Sequence, residues 1–447
     1  MISVYNRKGF RYTHCIADPA FTFSQFHRLS ETEPFLPRFD YEDASSHILF
    51  DEKAQIITTE KGFRMARANV GAREGKWYWE CKILSGVKRA DQVDSNSSAG
   101  DSGGHVRIGF SRREASLDTP VGFDAYSYGL RDVAGQKVHM SRPKDFMPSG
   151  EQICEGDVVG LEINLPSLTL HRKVVEGSYN KAVDVSDDVE PSGAEAPDII
   201  RDRLPIRYKS HLYFEQFEYQ LTKELEELMN PSPVITANST STNAAPNPNH
   251  ALVALRTLPF SCIKVYKNGR YVGTPFTDLL AFLPPASKPL HQVGARDGLD
   301  DGMLGYFPSV SVFRGGAAEV NFGPEFWYPP PDIIAPGDDV DMIGVDTTGT
   351  APSSDATSSL KRLRALAERY NEQIAEDILY DIIDEVDLWA QDGGKTEVQK
   401  GGRNPPPTLL GPVDPAAPGV GASMADAAAV LGNGQTGGIK EIVQEEE

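Results

Sequence analysis

Between Val106 and Asp145 the chain gathers seven Lys and Arg against five Asp and Glu, within a 447-residue sequence of formal net charge −20. Arg107 lies in HVRIGF, where Val106, Ile108 and Phe110 alternate and turn the arginine to the opposite face of a strand. Pro120, Phe123, Tyr126 and Tyr128 follow closely. A guanidinium fork grips a carboxylate or phosphate bidentately, and rings beside it form an apolar wall, so the group suits an acidic or phosphorylated peptide. It suits equally an internal ion pair with the rings in the core, and composition alone favours that second reading. Catalytic patterns do not compete: the nine His include no HExxH pair, and no Walker motif occurs. Cys15, Cys81, Cys154 and Cys262 lie far apart with no CxxC pair, which argues against structural zinc and against a disulfide framework. Cys81 and Cys262 sit in alternating apolar runs and read as small core residues of a reducing compartment. No catalytic residue, metal or cofactor is expected.

The elements that must carry Arg107 are strands. In KWYWECKIL, Trp77, Trp79, Cys81 and Ile83 share one face and Tyr78, Glu80 and Lys82 the other. Val159, Leu161, Ile163 and Leu165 alternate likewise. IKVYKNGRY is a hairpin turning at Asn268-Gly269, and Val310 with Val312, then Val320 with Phe322, give two late strands. Many short strands with turn signals between them imply a mainly β fold, a sandwich of two antiparallel sheets over residues 47–330. Insertions interrupt it at about residues 86–104, 166–261 and 284–303, and residues 230–250 are of low complexity. Phe217, Leu221, Leu225 and Leu228 recur at the spacing of a short helix. Residues 1–46 form an N-terminal extension without the apolar region of a secretory signal. No apolar run approaches the roughly 20 residues that span a bilayer, so no membrane is expected. The acidic balance argues against nucleic acid bound over a broad face.

Past a linker at residues 331–357, one long amphipathic helix is expected over residues 358–391, capped by Ser358 or Ser359 and followed by a disordered tail at 392–447. Its start is basic and its end acidic, which opposes the helix macrodipole, so packing must hold it. The apolar stripe of Ile374, Ile378, Leu379, Ile382, Ile383 and Val386 either folds back on the sandwich or lies in a partner's groove.

The runs EKGFRMARANVGAREGKWYWECKI, HVRIGFSRREASLDTPVGFDAYSYG, EGDVVGLEINLP, IKVYKNGRYVG and VNFGPEFWYPP resemble the SPRY domain of the Ash-two family, in order over about residues 50–330. The split between GDVVGLEINL and IKVYKNG is similar to that branch's own, and AEDILYDIIDEV resembles its docking helix. The resemblance implies a SPRY-type β-sandwich with large insertions followed by a C-terminal amphipathic α-helix. It implies a nuclear, non-catalytic scaffold subunit of a COMPASS-type complex that methylates histone H3 lysine. By position, Phe63, Arg107, Pro120 and Phe123 would form the pocket for an acidic segment of a WD-repeat propeller subunit. Ala375, Ile378, Leu379, Ile382 and Val386 would face a dumpy-thirty-type dimer, and a SET-domain methyltransferase subunit would be steadied by the whole. A nucleosome contact is left open by the resemblance. The family carries Tyr where Phe63 and Phe123 stand, and losing those hydroxyls favours acidic over phosphorylated peptide. Ala375 is smaller than the family's Leu, with Ile374 or Ile378 to fill the space. The family's zinc-binding and winged-helix region is not matched by any cysteine pairs here. A SPRY substrate receptor of a ubiquitin ligase or trafficking adaptor is the alternative.

Overall fold

The computed structural model describes residues 10–17, 27–29, 33–89, 104–148, 150–186, 204–208, 211–229, 245–288, 300, 302–333, 362–377 and 440–441. The architecture is mainly β. One sheet runs, from edge to edge, through β11 (Arg142–Lys144), β10 (Lys137–His139), β9 (Ser127–Arg131), β8 (His105–Ser111), β17 (Phe307–Phe313), β6 (Arg64–Ala68) and β3 (Phe39–Ala44). The facing sheet runs through β16 (Arg270–Thr277), β15 (Cys262–Lys267), β12 (Val158–Leu165), β7 (Gly75–Ser85), β18 (Ala317–Asn321), β5 (Ile56–Thr58) and β4 (Leu49–Phe50). Neighbours along both paths are antiparallel. β3 brings residues ahead of the expected boundary at 47 into the first sheet, paired with β6.

The alternating runs build the core. Trp77, Trp79, Cys81 and Ile83 of β7 meet Val106, Ile108 and Phe110 of β8 and Val310 and Val312 of β17 in one buried cluster between the sheets. Trp79 spans the seam, edge-on to Phe110 at 6.1 Å and stacked on Phe322 at 5.9 Å. Each such side chain removed from water contributes about 1.5–3 kcal/mol. Asn268 and Gly269 turn the β15–β16 hairpin with φ of 49° and 78°, the left-handed pair of a type I′ turn.

The opposite face of β7 departs from the expected pattern, because Tyr78 and Glu80 are buried as well. The chain's own strap, residues 324–333, covers them. The Glu80 carboxylate accepts Trp327 N–H at 2.7 Å and Tyr328 N–H at 2.9 Å, and Tyr78 packs edge-on to Phe326 at 4.9 Å. Burial holds the Glu80 carboxyl above its usual range, against the pull of those donors.

The insertions have structure of their own. The second carries α1 (Leu168–Glu176), capped by Ser167 and closed by Gly177, and α2 (Lys223–Met229). The expected short helix therefore begins later than Phe217, which ends β14 (His211–Phe217). A separate five-stranded sheet pairs β2 (His27–Leu29), β1 (Phe10–Ala17), β14, β13 (Leu204–Tyr208) and β20 (Lys440–Glu441) in that order. Residues 90–103 and 289–299, within the other two insertions, lie outside the described residues.

The C-terminal helix is corrected at its start. Residues 363–365, expected to be helical, form β19 (Leu363–Ala365), parallel to the Lys76–Tyr78 end of β7 that β18 leaves unpaired. Backbone hydrogen bonds at that vacant edge outweigh helical spacing. The helix, α3, then covers residues 366–377. The linker from residue 334 on, the expected N-cap and the helix beyond residue 377 lie outside the described residues.

Candidate peptide-binding site

Cross-strand partners share a face of a sheet, so register alone assembles the site. Arg107 of β8 pairs with Ser311 of β17 on one side and with Arg131 of β9 on the other. His105 pairs with Phe313. All project from the face turned away from the core, since Val106 and Ile108 point inward. Phe63, just ahead of β6, completes the group. The Arg107 guanidinium carbon lies 4.8 Å from the centre of the Phe63 ring, and that ring packs against Phe313 at 4.9 Å.

The electrostatics are unusual for so acidic a chain. Among the described residues Arg107 has no ion pair and no side-chain hydrogen bond, although it is half-buried. Its guanidinium pKa falls to about 10, chiefly because burial penalises the charge, then because Arg131 adds repulsion. Asp132 pulls the other way, yet its carboxylate is committed to Val106 N–H at 3.0 Å, Val133 N–H at 2.8 Å and His105 Nδ1 at 3.0 Å. Arg131 reaches only the Gln136 amide oxygen, at 2.9 Å. Among the described residues the internal ion pair that composition favours for Arg107 is not formed.

Pro120 and Phe123 arrive on the loop between β8 and β9. Val121 N–H donates to Ser311 Oγ at 3.0 Å, which lays the loop beside the Arg107 strand pair. Gly122 N–H donates to Ser127 Oγ, whose own proton goes to Asp124 Oδ1 at 2.9 Å; Asp124 also accepts from Tyr126 N–H. Gly129 lets the loop lie flat, because a Cβ there would stand 2.6 Å from the Val121 carbonyl oxygen. Pro120 is half-buried and the Phe123 ring is 41 % exposed. The structure thus joins Phe63 to Arg107 directly and carries Pro120 and Phe123 in on a pinned loop. The arrangement is a shelf of positive charge and rings that can bind a carboxylate and the apolar side chain next to it.

Arg131 belongs to this site and escapes the sequence, because its place beside Arg107 depends on strand register. Phe313 is similarly hidden, in the alternation of β17.

The second expected surface is described only at its base. Leu366 and Tyr370 of α3 are buried in the main core, with Ala367 and Ile374 packed against it. Ile374 is thus partly buried against the chain's own core, while Ala375 is exposed. The Arg364 guanidinium stacks on Trp77 at 4.0 Å and pairs with Glu372 at 2.5 Å, and Arg369 makes two bonds to Glu376, at 2.6 and 2.9 Å. Ile378, Leu379, Ile382 and Val386 lie outside the described residues. Among the described residues no helix is long and apolar enough to cross a membrane, and no cluster of His, Cys, Asp and Glu could hold a metal ion.

No family model matches the chain. Curated relatives do. It is 60% identical over 398 residues to "COMPASS component cclA" of Colletotrichum higginsianum, an alignment covering 88% of this chain and 69% of that protein. It is 41% identical to "Set1 complex component ash2" of Schizosaccharomyces pombe, over 88% of this chain and 48% of the relative. It is 28% identical to "COMPASS component BRE2" of Saccharomyces cerevisiae, over 86% of this chain and 87% of the relative. A solved human SPRY domain aligns at 13% identity and a TM-score of 0.28, over 63% of this chain and 98% of its own, too slight a likeness to carry weight.

Proposed function

The chain belongs to the family of COMPASS component cclA, and from that membership we propose that it is a non-catalytic subunit of a nuclear histone H3 lysine methyltransferase complex. It works as a scaffold. The shelf of Phe63, Arg107, Pro120 and Phe123 clamps an acidic segment of a WD-repeat propeller subunit. The helix running on from α3, with Ala375, Ile378, Leu379, Ile382 and Val386, takes a dumpy-thirty-type dimer. Held between them, a SET-domain subunit populates its active arrangement more fully.

One observation carries the first contact: Arg107 is half-buried against Phe63 and, among the described residues, has no carboxylate partner. A partly desolvated cation without an anion is costly to keep, and a peptide carboxylate would remove that cost. Changing Arg107→Ala should weaken the propeller segment's affinity by about tenfold or more, since hydrogen bonds to charged groups contribute about 1.5–3 kcal/mol. Isothermal titration calorimetry on the full chain measures it. Unchanged affinity would show that Arg107 serves the fold alone.

A further inference from the structure

The cationic shelf does not end at Phe63. Beside Phe313 the β17–β18 turn presents Arg314, exposed, with its guanidinium carbon 5.0 Å from the Phe313 ring centre. Arg314 holds φ at 44°, in the left-handed region that glycine tolerates and arginine does not favour, and its amide donates to the Lys61 carbonyl at 2.9 Å. Glycines follow it at 315 and 316. Strain of this kind, kept where a glycine would be easier, points to the side chain being wanted. Among the described residues Arg314, like Arg107 and Arg131, has no ion pair. Elsewhere arginines find carboxylates: Arg67 with Asp43, Arg73 with Asp300, Arg112 with Glu114 and Arg270 with Glu151. Arg107, Arg131 and Arg314 share one patch, linked through strand register and the Phe63 and Phe313 rings.

We propose that the site is a two-ended strip, Arg131 and Arg107 at one end and Arg314 at the other, bridged by the tilted, touching rings of Phe63 and Phe313. It fits an extended peptide with an acidic residue at each end of an apolar one. This inference rests on the peptide-binding reading above and deepens it. Contacts of 4.8, 4.9 and 5.0 Å along the strip limit the two guanidinium carbons to about 15 Å apart. An extended chain rises about 3.3 Å per residue and shows alternate side chains on one face, so residues i and i+4 span about 13 Å with i+2 between them. The carboxylates of i and i+4 then reach the two cationic ends while i+2 lies on the rings.

The test uses the full chain and two fluorescent peptides. One bears Glu, Leu and Glu at alternate positions; the other has its last Glu changed to Gln. Wild-type chain should prefer the first. Arg314→Gly should bind the first roughly fivefold more weakly, as the loss of one exposed charge pair allows, and the second unchanged. Because glycine relieves the left-handed strain, this variant should melt no lower than wild type, which separates lost recognition from lost folding. Arg107→Ala should weaken both peptides. Equal binding of both peptides by wild type, or full retention of the first by Arg314→Gly while Arg107→Ala loses it, would overturn the two-ended strip and leave the Arg107 pocket intact. If Arg107→Ala also binds as wild type does, the pocket itself fails.

Discussion

His171 offers the sharpest test of how the second insertion is locked to the sandwich. It sits on α1, fully buried, and its Nε2 accepts two backbone N–H groups, Phe282 at 3.1 Å and Leu283 at 3.2 Å. The acceptor role fixes a neutral ring protonated on Nδ1, an atom with no partner among the described residues. Burial, then the charges of Arg73, Arg112 and Arg172, pushes the imidazole pKa well below its usual 6.5. A histidine depressed in the folded state adds stability that is present above the unfolded pKa and is lost as pH falls below it. The loss is about 1.4 kcal/mol per pH unit, so going from neutral pH to pH 5 should remove about 2 kcal/mol through this residue alone. His171→Gln keeps an acceptor near the two amides and cannot take a proton. Its unfolding free energy, from urea titrations at both pH values, should fall by about 2 kcal/mol less than that of wild type. His139, whose pKa burial lowers to about 4, drives the same trend but cancels between the two proteins. Parallel pH slopes would refute the neutral double-acceptor role. His171→Ala, which orphans both amides, should cost about 1–3 kcal/mol per amide at neutral pH.

Two further outcomes bear on the helix. Leu366→Ala opens a cavity where α3 enters the core; it should destabilise the chain by about 2–5 kcal/mol in denaturant titration while leaving peptide affinity unchanged. Leu379→Glu combined with Ile382→Glu should release the dumpy-thirty-type dimer in co-purification with no change in melting temperature. Survival of that complex would remove the helix from the docking scheme.

Local periodicity made the core readable. Trp77, Trp79, Cys81 and Ile83 announce their face by alternation, and the same rule turns Arg107 outward. Register and long-range cover were not readable. Nothing in the sequence near Arg131 says that it will pair with Arg107. Nothing near Tyr78 and Glu80 says that a strap from the far end of the sandwich will bury them. Leu363, Leu366 and Tyr370 all fit helical spacing, yet the first is a strand because β7 offers it an unpaired edge. Each miss has one cause: the deciding partner lies far along the chain, and propensity is a weak prior against an open hydrogen-bonding edge.

The two outer faces of the sandwich are treated differently, and that contrast bears on function. Over β7 the chain closes its own sheet, with Glu80 clamping the strap and β19 filling the vacant edge. Over β8 and β17 the covering loop is pinned as firmly, through Ser311, Ser127 and Asp124, but carries no carboxylate to Arg107. A chain with 64 acidic residues against 44 basic ones has ample means to neutralise three arginines. It does so for Arg67, Arg73 and Arg112, which pair with Asp43, Asp300 and Glu114. Where Arg107 remains uncompensated, desolvation and the charge of Arg131 act against it in the folded chain, and an acidic chain from outside would gain what the fold gives up.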